Sequence, residues 1–169
     1  MKKQLFRRYL DSFRLASTRE GTEFLSLVSD LIERPEVTKL DGIRHHYSVS
    51  RLQHAKSVAY LSYLHCRRRG LAAEEVARAA LLHDLFYQHS HSEEKPRLLL
   101  CRHPAIALKN ARALTPLTKT GEDVIARHMF PFGLPPRTRE GRIVSRMDKY
   151  CAVQEFFRRI VPSFYRKRT

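Results

Sequence analysis

The chain has 169 residues, which fits one domain, and 43% of them are apolar, which is enough to form a core. Its 32 Lys and Arg against 17 Asp and Glu give a formal net charge of +15, which favours anionic partners but equally suits a crowded solvated surface. The sequence predicts no membrane span and no secretory signal, because no run of 18 apolar residues and no cleavage site occur. Three cysteines without a CxxC spacing predict reduced thiols, so the expected location is the cytoplasm.

The N-terminal part is predicted to form two helices followed by a connecting loop. Helical periodicity covers residues from about 3 to 16 and from 22 to 33, and Pro35 ends the second helix. The segment 35–49 contains Pro, Gly and two His, and we expect it to connect the helices to the rest of the chain. Residues 1–35 therefore form a predicted N-terminal helical extension.

The middle of the chain predicts two further helices. A long helix covers about 50–69, and Gly70 suits the left-handed residue that often closes a helix. Another helix starts near Ala72 and continues through an apolar stretch to His83. The polar segment 86–102 is expected to be mostly loop.

Three helices are predicted in the C-terminal part. Pro104 suits the first turn of a helix that reaches about Ala113. Thr120 and Asp123 resemble a capping box, which predicts a helix over about 121–129.

The proline-rich segment 130–138 is expected to be a loop, because it cannot stay helical. A last helix is predicted over 139–160. The predicted fold is all-α, with residues 1–169 forming a single compact domain of about seven helices.

Metal-ligating side chains fall on the apolar faces of four predicted helices. They are His54, His83, His128 and Asp148. An ionised carboxylate on an apolar face is costly unless it is paired or coordinated, and converging imidazoles and carboxylates commonly bind divalent metals. Each residue alone has a simpler explanation, since an inward His is more often a hydrogen-bonded core residue and Asp148 could pair with an arginine. Periodicity by itself therefore leaves a metal site and an ordinary core equally open.

The order of these residues resembles the HD-domain superfamily of metal-dependent phosphohydrolases, which is named for its His-Asp doublet. That pattern has a His opening a long helix, a Gly-Leu turn, an apolar helix ending in His-Asp, and a distant Asp. The matching residues are His54, Gly70-Leu71, Ala79-Ala80-Leu81-Leu82-His83-Asp84, and Asp148 in Met-Asp-Lys-Tyr. The resemblance covers roughly residues 48–155 and implies an HD-domain-like metal-binding core there.

The resemblance also implies a larger ligand set, because many members carry two further histidines and hold two metals. His103 and His128 stand where those histidines would fall, although His103 could simply cap the helix after it. The implied metal ligands are His54, His83, Asp84, His103, His128 and Asp148. Asp84 would bridge two divalent ions, with Fe or Mn expected and Zn, Co, Ni or Mg as alternatives.

The implied reaction is hydrolysis of a phosphate ester of a nucleotide or small phosphorylated metabolite by metal-activated water. Members with the fuller motif often have a lysine shortly after the doublet, but this chain continues Leu-Phe-Tyr-Gln over 85–88. A phosphate contact must come from elsewhere, and the candidates are Lys149, Arg127 and Lys56. The expected catalytic residues are therefore Asp84, Lys149 and Arg127.

The sequence leaves two other functions open. Some members of the superfamily are di-iron oxygenases, and the ligand set does not separate them from phosphohydrolases. The net charge favours a basic module that binds nucleotides or nucleic acid, although no recognised nucleic-acid motif is present. The remaining histidines do not match the motif. His65 could face the core, and the other four lie in predicted loops, where they could touch substrate; these four are His45, His46, His89 and His91. The sequence does not indicate an oligomeric state.

Overall fold

The computed structural model describes residues 2–45, 49–87 and 96–160, and these ranges contain eight α-helices. The helices are α1 (Lys2–Asp11), α2 (Arg19–Ile32), α3 (Pro35–Thr38), α4 (Arg51–Arg67), α5 (Ala73–Leu81), α6 (Pro96–Leu114), α7 (Lys119–Arg127) and α8 (Arg139–Ile160). The prediction of an all-α fold is confirmed. Within the described ranges, no helix is long and apolar enough to cross a membrane.

The segment predicted as a loop before α4 contains more local structure than expected. It holds α3, a 3₁₀ helix at Lys39–Gly42, and an antiparallel pair of two-residue strands, β1 (Arg44–His45) and β2 (Val49–Ser50). Val37 and Leu40 are buried in this segment, so tertiary packing stabilises turns that are too short to show a helical period.

Helix α4 is the central helix of the domain. It packs against α1, α2, α5 and α8, and most of its side chains are buried. The helix begins where the Ser50 hydroxyl accepts a hydrogen bond from the backbone N–H of Gln53 at 3.1 Å. It is followed by Gly70, whose φ of +63° confirms the predicted left-handed residue. Helix α4 therefore places His54, which is near its start, at the centre of the bundle.

Helices α5, α7 and α8 complete the surroundings of that position. Helix α5 packs on α4, α2 and α7, while α7 also contacts α6 and α8. Helices α5 and α8 thus lie against α4, and α7 packs against both of them. This arrangement brings chain segments that are far apart in sequence to one buried location.

The predicted start of α6 was wrong. We expected the helix to begin at Pro104, whereas it begins at Pro96 and has Pro104 in its interior. A proline inside a helix removes one backbone hydrogen bond and costs about 3 kcal/mol. Pro104 and its neighbours His103 and Ala107 are buried, and this packing offsets the cost.

The predicted capping box at Thr120 was also wrong. Helix α7 begins at Lys119, and the hydroxyl of Thr118 accepts the capping hydrogen bond from Gly121 N. Asp123 acts elsewhere, because its carboxylate accepts hydrogen bonds from Arg137 N, Thr138 N and Thr138 Oγ1 at 2.8–3.1 Å. Asp123 therefore attaches the start of α8 to α7.

Replacing Asp123 with alanine should lower the free energy of unfolding by about 3 kcal/mol, because three partly buried donors lose a charged acceptor. Urea unfolding of the purified variant measures this change. Asp30→Ala is the control, since Asp30 is exposed and its ion pair with Arg78 should contribute less than about 1 kcal/mol. Equal losses for the two variants would contradict the role assigned to Asp123.

Candidate metal centre

Six buried side chains from α4, α6, α8 and the ends of α5 and α7 meet at one place. They are His54, His83, Asp84, His103, His128 and Asp148, and none is more than 8% exposed. Their potential ligand atoms form three overlapping groups in which all atoms lie within 4.8 Å of one another. The groups are His54–His83–Asp84, His83–His128–Asp148 and Asp84–His103–His128. All six residues that the family resemblance implied as ligands are thus brought together.

A hydrogen bond from Nδ1 to a backbone carbonyl orients two of these histidines. His83 Nδ1 lies 2.7 Å from the Ala80 carbonyl, and His128 Nδ1 lies 2.8 Å from the Ile125 carbonyl. A carbonyl oxygen can only accept, so each Nδ1 carries a proton, and in the neutral form of either ring the lone pair is on Nε2. The carbonyls belong to the last turns of α5 and α7, where backbone acceptors lack helical partners. The helix ends therefore fix both imidazoles with Nε2 directed at the centre.

An unsatisfied nitrogen supports a ligand role for His83. Its Nε2 is fully buried and has no hydrogen-bond partner among the residues that the structure describes. Buried polar atoms without a partner are uncommon and call for an explanation. A divalent ion that accepts this lone pair would explain the nitrogen, so the residues present fit a metal.

His103, His128 and Asp84 form the tighter half of the centre. The two Nε2 atoms are 2.9 Å apart, and they lie 3.3 and 3.5 Å from Asp84 Oδ1. With a metal–ligand bond of about 2.1 Å, neighbouring ligands are about 3.0 Å apart in an octahedron and about 3.4 Å apart in a tetrahedron. The separations between these three atoms match that range.

His54, His83 and Asp148 form the more open half. His54 Nε2 is 3.1 Å from Asp148 Oδ1, and His83 Nε2 is 3.9 Å from the same oxygen. His83 Nε2 is also 3.9 Å from Asp84 Oδ2. One oxygen of Asp84 thus faces the tighter half, and the other faces the more open half.

Interactions between charged groups within the centre offset the cost of burying its carboxylates. Burial opposes ionisation of Asp84 and Asp148, but the surrounding histidines, together with Lys149 for Asp148, hold the pKa of both carboxyls well below the usual range. Burial lowers the pKa of His83 to about 4, so this ring is neutral near pH 7. The two aspartates are therefore anionic and His83 keeps its lone pair, as metal ligation requires.

Sequence reasoning missed Glu155, which lies behind His54. Its carboxylate oxygens are 2.8 and 3.1 Å from His54 Nδ1, and the side chain is fully buried. Burial opposes a charged His54, but Glu155 and Asp148 raise its pKa well above the ordinary value. Glu155 follows Asp148 by seven residues, two helical turns, and this spacing on α8 is the signal that could have revealed it.

Arg51 was missed as well, although it is nearly fully buried. Its guanidinium lies 3.7 Å from the centroid of the Phe86 ring and donates a hydrogen bond to the Phe86 carbonyl. The Phe86 ring in turn lies 4.9 Å from the ring of His103. Arg51 thus holds the segment that follows the doublet against the imidazole of His103.

Lys149 and Arg127, the two basic side chains predicted to contact the substrate phosphate, lie in different surroundings. Lys149 Nζ is 2.8 Å from Asp148 Oδ2 and also donates to the His128 carbonyl, so it adjoins the centre. Arg127 instead pairs with Asp123 at 3.3 Å and donates to the Pro135 carbonyl. The guanidinium of Arg127 is thus held by α7 and by the loop before α8, and its contact with phosphate stays a prediction. Lys56 is half-buried, two residues beyond His54.

The remaining histidines do not join the centre in the described part of the chain. His65 is half-buried on α4, and burial together with Arg69, Arg68 and Arg146 lowers its pKa. His46, His89, His91 and the side chain of His45 lie outside the described residues.

The fold and the centre define an all-α domain with a buried histidine–aspartate cluster of metal-binding type. The family model of the HD domain matches residues 51–153, more than half of the chain, and the chain therefore belongs to the HD-domain family. Members of this family are mostly metal-dependent hydrolases. The matched range lies within residues 48–155, where the sequence predicted the core. Searches of curated proteins and of solved structures found no match.

Proposed function

We propose that this protein is a metal-dependent phosphohydrolase that cleaves a phosphate ester of a nucleotide or another small phosphorylated metabolite. The observation that carries the proposal is the position of Asp84, whose two oxygens face different groups of imidazoles. Paired divalent ions that share a carboxylate are a recurrent solution for phosphoryl chemistry. Membership of a family of mostly metal-dependent hydrolases supports the same conclusion.

Each half of the centre would hold one ion, and Asp84 would serve both. A divalent ion lowers the pKa of a water molecule towards neutrality and polarises a phosphoryl oxygen. The low exposure of all six side chains keeps bulk water away, which strengthens electrostatic interactions within the centre. Lys149 adds a positive charge beside Asp148, where it would neutralise charge that develops on the phosphoryl oxygens.

The ligand chemistry favours transition metals over magnesium. Imidazole suits Fe, Mn, Co, Ni and Zn, whereas Mg²⁺ prefers oxygen ligands. Four histidines and two aspartates would therefore bind iron or manganese in preference to magnesium.

The direct test is a phosphatase assay on protein with a defined metal. The chain is stripped with a chelator, loaded anaerobically with Mn²⁺, Fe²⁺, Zn²⁺ or Mg²⁺, and incubated with nucleotides and small phosphomonoesters. We expect phosphate release with Mn²⁺ or Fe²⁺ and loss of activity when the chelator is added back. A product that requires both iron and oxygen would identify an oxygenase instead. No reaction with any metal, combined with salt-sensitive RNA binding, would indicate a binding module.

A further inference from the structure

A groove of about 440 Å³ lies beside the metal centre, between α8 and the loop that precedes it. We call it the α8 groove. Its positively charged side is formed by α8, and its apolar side by the loop; the main residues are Arg142, Arg146, Lys149, Phe130 and Pro135. Concave sites that combine apolar walls with a few polar groups are typical of small-molecule binding.

The cations of the α8 groove form a row along one helix face. Arg142, Arg146 and Lys149 are three or four residues apart, so they follow one another at successive turns and span about 10 Å along the helix. Arg142 Nη2 donates to the uncharged carbonyl of Arg137 at 3.2 Å. Neither arginine has an acidic partner among the residues that the structure describes. The groove therefore carries two guanidinium groups whose charge is not compensated locally.

Lys149 links the α8 groove to the metal centre. Its Nζ is 2.8 Å from Asp148 Oδ2, while the other oxygen of that carboxylate is 3.1 Å from His54 Nε2. Ser145 lines the groove and donates a hydrogen bond to the His128 carbonyl at 2.7 Å. An anion at the centre and a second anion in the groove could thus both approach the same lysine.

The loop wall of the groove is held in place before any ligand binds. Arg127 donates to the Pro135 carbonyl, and Asp123 accepts from Arg137 N. Arg127 and Asp123 thus bind the loop and do not face the metal centre. A preformed wall reduces the ordering cost of binding.

Building on the phosphohydrolase function proposed above, we infer that the α8 groove is a second anion subsite and that the substrate is an organic bisphosphate. One phosphate would lie at the metal centre beside Lys149, and the other between Arg142 and Arg146. Guanidinium groups suit this role because their planar fork matches phosphate oxygens in a bidentate way. The ring of Phe130 would contact the organic part of the substrate.

The test compares adenosine 3′,5′-bisphosphate with adenosine 5′-monophosphate on the metal-loaded full chain. We expect the wild-type protein to prefer the bisphosphate in kcat/KM. Arg142→Gln with Arg146→Gln should reduce that preference by about 10- to 100-fold, since charge-assisted hydrogen bonds to one phosphate are lost. Arg139→Gln is the matched control, because Arg139 is exposed on the same helix and outside the groove, and the preference should be unchanged.

Calorimetric binding of adenosine 3′,5′-bisphosphate separates this inference from the proposed reaction. If no phosphate ester is hydrolysed but the double variant still weakens bisphosphate binding, the subsite stands and the phosphohydrolase proposal fails. If the wild-type protein binds both nucleotides equally, or if the double variant weakens both equally, the inference is overturned. A thermal melt of each variant verifies that the fold is intact.

Discussion

Replacing Asp84 with alanine should abolish phosphate release and remove at least one metal ion per chain. Oδ1 of Asp84 lies 3.3 Å from His103 Nε2, and Oδ2 lies 3.9 Å from His83 Nε2, so one substitution takes an oxygen ligand from both halves of the centre. We expect a loss of at least about a thousandfold in kcat/KM, equivalent to about 4 kcal/mol of transition-state stabilisation. Initial rates and elemental analysis of metal content measure the two effects.

The matched control is His65→Ala. His65 is on α4, as is His54, but it lies outside the cluster, so metal content and rate should remain at wild-type values. His83→Ala should lose metal as Asp84→Ala does, because Nε2 of His83 faces both aspartates. Full metal content in either the Asp84 or the His83 variant would refute the assignment of the centre.

Apolar periodicity was sufficient to predict most of the helices. The stripe on α2, the glycine after α4 and the long C-terminal helix were all evident because each depends on local pattern. The errors occurred where distant contacts decide a helix end. Burial around Pro104 keeps α6 continuous, and the use of Asp123 by α8 leaves Thr118 to cap α7. Neither contact leaves a local signature in the sequence.

The centre was predictable in its residues but not in its geometry. The inward positions of His54 and Asp148 follow from helical periodicity. His83 and His128 lie just beyond the ends of helices that the same periodicity predicted, and the family resemblance supplied the remaining two. The sequence could not show that the oxygens of Asp84 face opposite halves, because this depends on how α6 and α7 approach the end of α5.

The sequence also could not show which of the candidate basic side chains adjoins the centre. Arg127, which directly precedes His128, was one of the predicted phosphate contacts. Its guanidinium is instead held by Asp123 and the Pro135 carbonyl, whereas the Nζ of Lys149 contacts Asp148. The direction of a long side chain depends on the loop packed against it, and the conformation of the 130–138 loop is not encoded by a periodic pattern.

Replacing Glu155 should weaken metal binding even though Glu155 is not among the proposed ligands. Its carboxylate accepts the Nδ1 proton of His54, which holds Nε2 towards Asp148 and raises the basicity of the ring. Such supporting carboxylates typically contribute 10- to 100-fold in metal affinity. Glu155→Gln keeps an acceptor but removes the charge, so we expect a loss of about 10-fold. Glu155→Ala removes both the acceptor and the charge, and the loss of metal affinity should approach 100-fold.

Competition with a chelator measures this affinity directly and does not depend on turnover. Glu140→Gln is the control, because it makes the same change on the same helix outside the cluster and should leave the affinity unaltered. A merely structural role for Glu155 would lower the melting temperature of the metal-free protein without changing the metal dissociation constant. The expected order of affinities is wild type, then the glutamine variant, then the alanine variant. This order separates the charge of the carboxylate from its hydrogen bond, because glutamine preserves only the hydrogen bond to His54.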